Sequence, residues 1–191
     1  MQRCGWAKSE LDILYHDLEW GNPVYDDQKL FEFVTLESAQ AGLSWTTILK
    51  KRENYRKAYD NFDFIKIAQY DDQKKHLLLE DVGIVRNKLK IEASITNAQV
   101  FLQIRNEFKS FSNYIWHFTK GEIIYNNFSM LSEILPQTEL SLIISKDLKA
   151  RGFKFFGPVT CYAFLQAIGV VNDHVTACFR FYKLTGEKND K

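Results

Sequence analysis

Cysteine and histidine residues occur in pairs near both ends of the sequence. "VNDHVTACF" places His174 four residues before Cys178, and "MQRCGW" and "LYHDLEW" contribute Cys4 and His16. Residues four apart on a helix lie on one face, about 5–6 Å from each other, so His174 and Cys178 can reach one metal ion. Together the two pairs form a Cys2His2 set suited to zinc. The alternative is that they are ordinary buried residues, since free cysteine packs well in cores.

The metal chemistry that this set favours is structural and not hydrolytic. His174 is not part of an HExxH sequence, in which a glutamate stands beside two histidines that bind a zinc ion with an open position. A closed site would join residue 4 to residue 178 and restrict a loop that covers nearly the whole chain. We expect such a connection to stabilise the fold considerably.

A carboxylate occupies the apolar side of a predicted helix in "DDQKLFEFVTLESAQAGLSW". At about 100° per residue, Glu37 falls between Leu30 and Phe33 on the apolar face. Glu32 falls on the opposite side and is expected to be solvated. A carboxylate that faces a core is costly unless it is paired, and such groups concentrate at functional sites. A buried ion pair, or a helix that ends earlier, is the alternative explanation for Glu37.

Aromatic residues are dense in the N-terminal third of the chain. Trp6, Tyr15, Trp20 and Trp45 all precede residue 65 and include three of the four tryptophans. Aromatic side chains more often fill a core than bind a ligand. In combination with Glu37, however, they provide the chemistry of a pocket for a flat, electron-poor or cationic ring.

"RGFKFFGPVTCYAFLQAIG" predicts two helices joined by a tight turn. Gly152 can end the first helix in a left-handed conformation, and Gly157 with Pro158 can start the second. Free amides at the start of the second helix, with Lys154 beside them, can hold a phosphate. The alternative is a turn without a ligand, because glycine commonly joins two helices.

The rest of the sequence is mostly helical. Asp26 and Asp71 are predicted N-caps of two helices, the first beginning near Gln28. Apolar spacing predicts further helices at roughly 44–59, 86–107, 110–118, 139–150, 158–168 and 173–181. "GEIIYNNFS" is the one predicted strand. The sequence thus predicts an all-α fold in a single domain, residues 1–183, with two helical lobes as an open alternative, followed by a flexible tail, 184–191.

Composition limits the class of protein. A chain of 191 residues, 46% of them hydrophobic, can bury a sizeable core. The N-terminal segment is too polar for a signal peptide, and no apolar run reaches the roughly 18 residues of a membrane span, so we expect a soluble cytoplasmic protein. The three cysteines favour a reducing compartment. A net charge of +1 neither requires nor excludes nucleic acid as a partner.

Several blocks of the sequence resemble one bacterial enzyme family. "RCGW", "YHDLEWG", "LESAQAGLSWTTILKKRENYR", "RGFKFFGPVTCYAF" and "GVVNDHV" have the order and spacing of DNA-3-methyladenine glycosylase I, a branch of the helix-hairpin-helix DNA glycosylases. The resemblance covers residues 3 to about 180. It implies an all-α helix-hairpin-helix glycosylase fold and a structural zinc ion held by Cys4, His16, His174 and Cys178.

The resemblance also implies an activity and the residues that serve it. The family flips 3-methyladenine out of alkylated double-stranded DNA and hydrolyses its N-glycosidic bond, which leaves an abasic site and the free base. Glu37 is expected to contact the extruded base. Tyr15 and Trp45 are expected to line its pocket, with Trp6 and Trp20 close by. No lysine is placed as an amine nucleophile, so we expect a monofunctional, monomeric DNA repair enzyme that uses water.

The expected DNA contacts come from two loops. Leu43, in "QAGLS", is the expected wedge that fills the gap left by the flipped base. Gly152, Lys154 and Gly157 of the predicted turn are expected to contact the DNA backbone.

Two positions depart from what the resemblance implies. Asn172 stands where related glycosylases carry a catalytic aspartate in a "VDxH"-like stretch, so no strong general base is implied there. Asp12 stands where the family carries a second pocket tyrosine. We expect the Asp12 carboxylate to cap the helix that carries Tyr15, in preference to contacting the base.

Two other classes of function remain open from the sequence. A non-catalytic, zinc-stabilised helix-hairpin-helix DNA-binding protein would keep the turn and the basic residues but would not need Glu37 on an apolar face. A zinc-dependent hydrolase would need an open metal position.

Overall fold

The computed structural model describes residues 2–185, which form ten α-helices and one two-stranded sheet. The helices are α1 (Glu10–Leu18), α2 (Asp27–Gln40), α3 (Trp45–Ala58), α4 (Phe64–Ile67), α5 (Asp72–Glu80), α6 (Lys88–Phe108), α7 (Phe111–His117), α8 (Glu139–Arg151), α9 (Pro158–Ala167) and α10 (Phe179–Thr185). The strands, β1 (Ile124–Tyr125) and β2 (Val171–Asn172), are two residues long. The predicted all-α fold is confirmed.

The predicted helix starts are explained by their caps. Asp26 accepts a hydrogen bond from the amide of Lys29 at 2.8 Å, and Asp71 accepts one from Lys74 at 2.8 Å. Each bond satisfies an amide that the first turn of a helix leaves without a partner. The helices predicted at 44–59, 86–107, 110–118, 139–150 and 158–168 correspond to α3, α6, α7, α8 and α9, and their ends differ by at most two residues.

The helix predicted at 173–181 is wrong. The chain there leaves β2, makes a turn in which the Cys178 amide donates to the Val175 carbonyl at 2.7 Å, and enters α10 only at Phe179. The reason is long-range pairing: β2 lies parallel to β1, and beyond β2 the Thr176 amide donates to the Phe128 carbonyl at 2.8 Å instead of to a carbonyl of its own helix. β1 lies within the predicted strand segment "GEIIYNNFS", so that prediction is confirmed.

Helix α2 runs through the centre of the molecule and is buried on nearly all sides. It packs against α3, α6, α7 and α9, and ten of its fourteen residues are buried. The prediction that Glu32 is solvated is therefore wrong: its residue surface is 4% exposed. Arg52 donates to Glu32 at 2.6 Å and Arg56 donates to it at 2.9 Å. Burial opposes ionisation of Glu32, but the charges of Arg52 and Lys29 hold its pKa below the usual value.

Apart from Ala93 and Phe181, the buried apolar side chains of the described residues form one connected core. The domain predicted for 1–183 and the flexible tail predicted for 184–191 stay predictions, because residues 186–191 lie outside the described range, while Leu184 and Thr185 belong to α10. Within residues 2–185, no helix has both the length and the apolar content needed to cross a membrane.

Candidate functional site

Four side chains from the two ends of the chain converge in the interior. Ligand atoms of Cys4, His16, His174 and Cys178 all lie within 4.8 Å of one another, and all four residues are buried. Cys178 Sγ lies 3.4 Å from His16 Nε2 and 3.6 Å from His174 Nδ1. A hydrogen bond between the two cysteines raises the pKa of the Cys4 thiol and lowers that of Cys178. The predicted set assembles, but His174 and Cys178 meet through a turn and not along a helix face.

The spacing of these donors suits a four-coordinate metal ion. Bonds of about 2.0–2.3 Å to nitrogen and sulfur in a tetrahedron place neighbouring ligands roughly 3.3–3.8 Å apart, which brackets the contacts of 3.4 and 3.6 Å. The other nitrogen of His16, Nδ1, lies 2.8 Å from Asp17, which accepts in turn from Arg3. His174 Nε2 lies 3.3 Å from the carbonyl oxygen of Trp20. Such outer contacts orient histidine ligands, so the cluster can hold a metal ion.

A cavity of about 480 Å³ lies next to this cluster. Its walls come from α1, α2, α3 and α9 and from the segment 131–136. The five residues predicted to serve a base all line it, namely Trp6, Tyr15, Trp20, Glu37 and Trp45. The structure therefore places in one cavity the side chains that the sequence analysis grouped, and it adds a wall from α9 that the sequence analysis did not anticipate.

Glu37 is the one carboxylate among the described residues that line the cavity. It is 4% exposed, and burial raises its pKa to about 8. Its Oε2 has no hydrogen-bond partner within residues 2–185, and neither has Nε1 of Trp45. Buried polar atoms without hydrogen-bond partners cost free energy. The site therefore offers one acceptor and one donor to a ligand.

The aromatic rings form a continuous wall that links the cavity to the cluster of Cys4, His16, His174 and Cys178. The ring centroids of Tyr15 and Trp45 are 5.2 Å apart, and those of Trp6 and Trp20 are 5.1 Å apart with their planes at 78°. The Trp20 ring in turn lies 4.5 Å from that of His174. Burial, and then the nearby Glu37, raise the pKa of the Tyr15 hydroxyl well above its usual value. Tyr15 therefore remains a neutral donor at neutral pH.

Asp12 caps α1, as predicted, and does not belong to the cavity lining within the described residues. Its carboxylate accepts from the Ser9 amide at 3.2 Å, and the Ser9 hydroxyl accepts from the Asp12 amide at 3.2 Å. Asp12 also accepts from the Thr46 hydroxyl at 2.9 Å. Because Thr46 follows Trp45, this bond fastens the start of α1 to the helix that carries a cavity residue.

The predicted turn joins α8 to α9 through residues 152–157. Gly152 has φ 110° and donates to the carbonyls that end α8, a conformation that favours glycine. The side-chain amide of Asn97 holds the backbone of Lys154: its nitrogen donates to the Lys154 carbonyl at 3.0 Å, and its oxygen accepts from the Lys154 amide at 2.7 Å. Gly157 is the N-cap of α9 and Pro158 its first residue. The predicted helix ends are confirmed.

Leu43 occupies the turn between α2 and α3 and is 40% exposed. The chain positions on either side of this turn, Gln40 and Trp45, line the cavity. An exposed apolar side chain thus stands between two cavity residues along the chain, which is the placement that a wedge requires.

Sequence reasoning missed the residues that α9 adds to the cavity. Val159, Tyr162, Ala163 and Gln166 line it. Their spacing of three and four residues places them on one helix face, and that periodicity is the signal that identifies them. In the sequence they lie in the apolar run "VTCYAFLQAI", and an apolar pattern does not distinguish residues that pack in a core from residues that line a cavity.

Known proteins resemble this chain in sequence and fold over nearly their whole length. A family model described as methyladenine glycosylase matches residues 6–181. DNA-3-methyladenine glycosylase 1 of Escherichia coli is 47% identical over 179 residues, which is 93% of this chain and 96% of that protein. A crystal structure of 3-methyladenine DNA glycosylase I superposes with a TM-score of 0.90 at 46% identity, covering 93% of this chain and 98% of the other.

A third relative carries a ligand. It is a variant of 3-methyladenine DNA glycosylase I in complex with 3-methyladenine, with a TM-score of 0.90 at 38% identity over 94% of this chain and 97% of the other. The fold, the match along residues 6–181 and the close relatives agree with one another. The chain belongs to the methyladenine glycosylase family.

Proposed function

We propose that this protein is a DNA repair enzyme that removes 3-methyladenine from alkylated double-stranded DNA. It hydrolyses the N-glycosidic bond and leaves an abasic site and the free base. The observation that carries the proposal is the unpaired, buried carboxyl group of Glu37 in an aromatic cavity. The names of its relatives, and the 3-methyladenine bound to one of them, support the same substrate.

The chemistry fits the cavity. Methylation of a ring nitrogen gives the base a positive charge in DNA, so the base is already a good leaving group, and the enzyme must chiefly extrude and recognise it. The faces of Tyr15 and Trp45 favour a cationic ring, and Trp6 and Trp20 extend that wall. Glu37 accepts a hydrogen bond from the base in a site screened from water.

Other groups near the cavity do not supply a covalent mechanism. No lysine is among the described residues that line it. The side-chain oxygen of Asn172 accepts from the amide of His174 at 3.1 Å, so Asn172 serves the local backbone. We therefore propose a monofunctional glycosylase in which water attacks.

For DNA binding we propose that α8, the turn 152–157 and α9 act as a helix-hairpin-helix. Gly152 and Gly157 let the backbone approach a phosphate, Lys154 adds a positive charge, and the start of α9 has no side-chain cap that would occupy its first amides. Leu43 enters the gap that the extruded base leaves.

The hairpin predicts the effect of a charge at Gly157. Gly157→Asp should weaken binding to DNA of any sequence about 5–10-fold at low salt, because a carboxylate would oppose phosphate, and the difference should shrink as salt rises. A Cβ at this position meets no described atom within 4 Å, and an aspartate N-cap favours a helix, so the protein should stay folded. Binding is measured by fluorescence anisotropy across a salt series.

The matched control is Gly157→Asn, which has the same shape and capping ability without the charge. It should bind DNA more tightly than Gly157→Asp at low salt, and the difference should shrink as added salt screens the charge. Equal affinities of the parent and Gly157→Asp throughout the series would remove the hairpin from the DNA interface.

We propose that the metal is zinc and that its role is structural. Two cysteines and two histidines, all buried, fill the four positions that zinc prefers, so the site lacks the open position of a hydrolytic centre. When bound, zinc supplies a rigid connection between the two ends of the chain. This arrangement disfavours a zinc-dependent hydrolase. The buried Oε2 of Glu37, which has no hydrogen-bond partner within residues 2–185, disfavours a purely DNA-binding protein, because such a protein would not need a carboxyl group there. We further propose a monomer that acts in the bacterial cytoplasm.

Base release tests the proposed activity directly. Duplex DNA treated with a methylating agent is incubated with the protein, and the soluble products are separated by chromatography. Time-dependent release of 3-methyladenine, with abasic sites left in the DNA, is the expected result. DNA binding without any base release would favour the non-catalytic alternative.

A further inference from the structure

A second buried carboxylate stands behind the α9 wall of the cavity. Asp173 is 1% exposed. Its Oδ2 accepts from the Tyr162 hydroxyl at 2.5 Å and from Gln166 Nε2 at 2.7 Å. Its Oδ1 accepts from Asn126 Nδ2 at 2.7 Å. Three neutral donors thus fix the carboxylate, and the carboxylate fixes them in return.

The short parallel sheet brings these groups together. Asn126 and Asp173 directly follow β1 and β2, and the Asn126 amide donates to the Asn172 carbonyl at 3.2 Å. Tyr162 and Gln166 lie four residues apart on α9, so both reach the same carboxylate. Each strand of the sheet is only two residues long, and their pairing places Asp173 against α9.

The bonds to Asp173 set the direction of the Gln166 amide. A carboxylate only accepts hydrogen bonds, so the Gln166 nitrogen must face Asp173, and its carbonyl oxygen Oε1 is left for other partners. Gln166 lines the cavity, whereas Asp173 does not belong to its described lining. The cavity side of Gln166 therefore presents an acceptor.

We propose that Asp173 is a positioning residue that turns Gln166 Oε1 toward the extruded base, where Oε1 accepts a hydrogen bond from the exocyclic amine. This inference rests on the proposed function. In an intact DNA strand both hydroxyls of the deoxyribose are esterified and cannot donate hydrogen bonds. The exocyclic amine is therefore the hydrogen-bond donor that an extruded 3-methyladenine nucleotide offers to the cavity. Glu37 on α2 and Gln166 on α9 thus provide acceptors on two walls of one cavity.

The test compares two free bases, 3-methyladenine and 3-methylpurine, which lacks the amine. Calorimetry gives the preference of each protein for the first over the second. Gln166→Met removes the acceptor, and Asp173→Leu releases the Gln166 amide, so both variants should lose about 3–10-fold of the parental preference. Binding of 3-methylpurine should change less than twofold, an outcome that general loss of stability does not produce.

Two further variants separate positioning from stability. Asn126→Leu removes the donor to Oδ1 and leaves the Tyr162 and Gln166 bonds to Oδ2 in place, so it should lower the melting temperature without changing the preference. The exchange Asp173→Asn with Asn126→Asp keeps an acceptor toward Gln166 and should retain the parental preference, even if Asp173→Leu does not fold. Loss of preference in this double variant, or an unchanged preference in Gln166→Met or folded Asp173→Leu, overturns the inference. Failure of the parent to bind 3-methyladenine would instead overturn the proposed function.

Discussion

Replacing Glu37 by glutamine should slow excision of 3-methyladenine about 100-fold and leave the protein folded. The two side chains have the same shape, but Glu37 can give up its proton when a cationic base binds and then make a charge-assisted hydrogen bond, which glutamine cannot make. Hydrogen bonds to charged groups contribute about 1.5–3 kcal/mol, and each 1.4 kcal/mol is a factor of about ten in rate. Single-turnover excision from methylated duplex DNA measures the rate, and calorimetry measures affinity for the free base.

The same substitution should raise the melting temperature, and more so at higher pH. Burial raises the pKa of Glu37 to about 8 in the folded protein, whereas its ordinary value is 4.5. Between these values the folded protein retains a proton that the unfolded chain releases, so this group lowers stability as pH rises from 4.5 to 8. Glutamine has no such dependence. The melting temperatures of the parent and the variant should therefore be similar near pH 4.5 and should differ most near pH 8.

Trp45→Ala provides the comparison for this prediction. It should also slow excision, because it removes a ring that lies 5.2 Å from Tyr15 in the cavity wall. In contrast to the glutamine variant, it should melt at a lower temperature, since truncating a large packed ring costs about 3–5 kcal/mol. If Glu37→Gln excises at the parental rate and binds the free base as tightly, Glu37 is a structural carboxylate and the base must bind elsewhere.

Local signals in the sequence predicted much of the fold. Asp26 and Asp71 are capping residues, and each accepts a hydrogen bond from the amide three residues later. Gly152 ends α8 in a left-handed backbone conformation, which glycine adopts because it has no side chain. Long-range pairing was not predictable in this way. β2 exists because residues 124–125 lie beside it, and no local pattern in "VVNDHV" distinguishes it from a helix start.

The candidate site shows the same division. Glu37 and the tryptophans stand out because their residue types conflict with an ordinary apolar face. Glu32 was misjudged because a helical wheel assumes one solvated side, whereas α2 is enclosed and Arg52 reaches Glu32 from α3. Gln166 and Asp173 escaped notice because their partners come from separate elements. A role that depends on one residue of unexpected type could be predicted from the sequence. A role that depends on a hydrogen-bond network between separate elements could not.

Removal of one cysteine from the metal cluster should lower stability and metal content together. Cys4 and Cys178 lie near opposite ends of the chain, so the zinc ion that we propose they share would close a loop of more than 170 residues. Closing a loop of this order stabilises a fold by about 5 kcal/mol in the loop-entropy model. At about 2–4 °C per kcal/mol for a protein of this size, Cys178→Ala should melt roughly 10–20 °C lower. Metal analysis of the purified variant should give well under one zinc ion per chain.

Cys161→Ala is the matched control, because Cys161 is as buried as the cluster cysteines but lies outside the cluster. It should keep one zinc ion per chain and lose only the smaller stability that a truncated buried thiol costs. Cys4→Ala should behave like Cys178→Ala, since either cysteine alone leaves three ligands. A variant lacking both Cys4 and Cys178 that still binds stoichiometric zinc would show that the ion lies elsewhere, and the two ends of the chain would then be held by direct contacts, such as the hydrogen bond from the Phe179 amide to the Gln2 carbonyl at 3.0 Å.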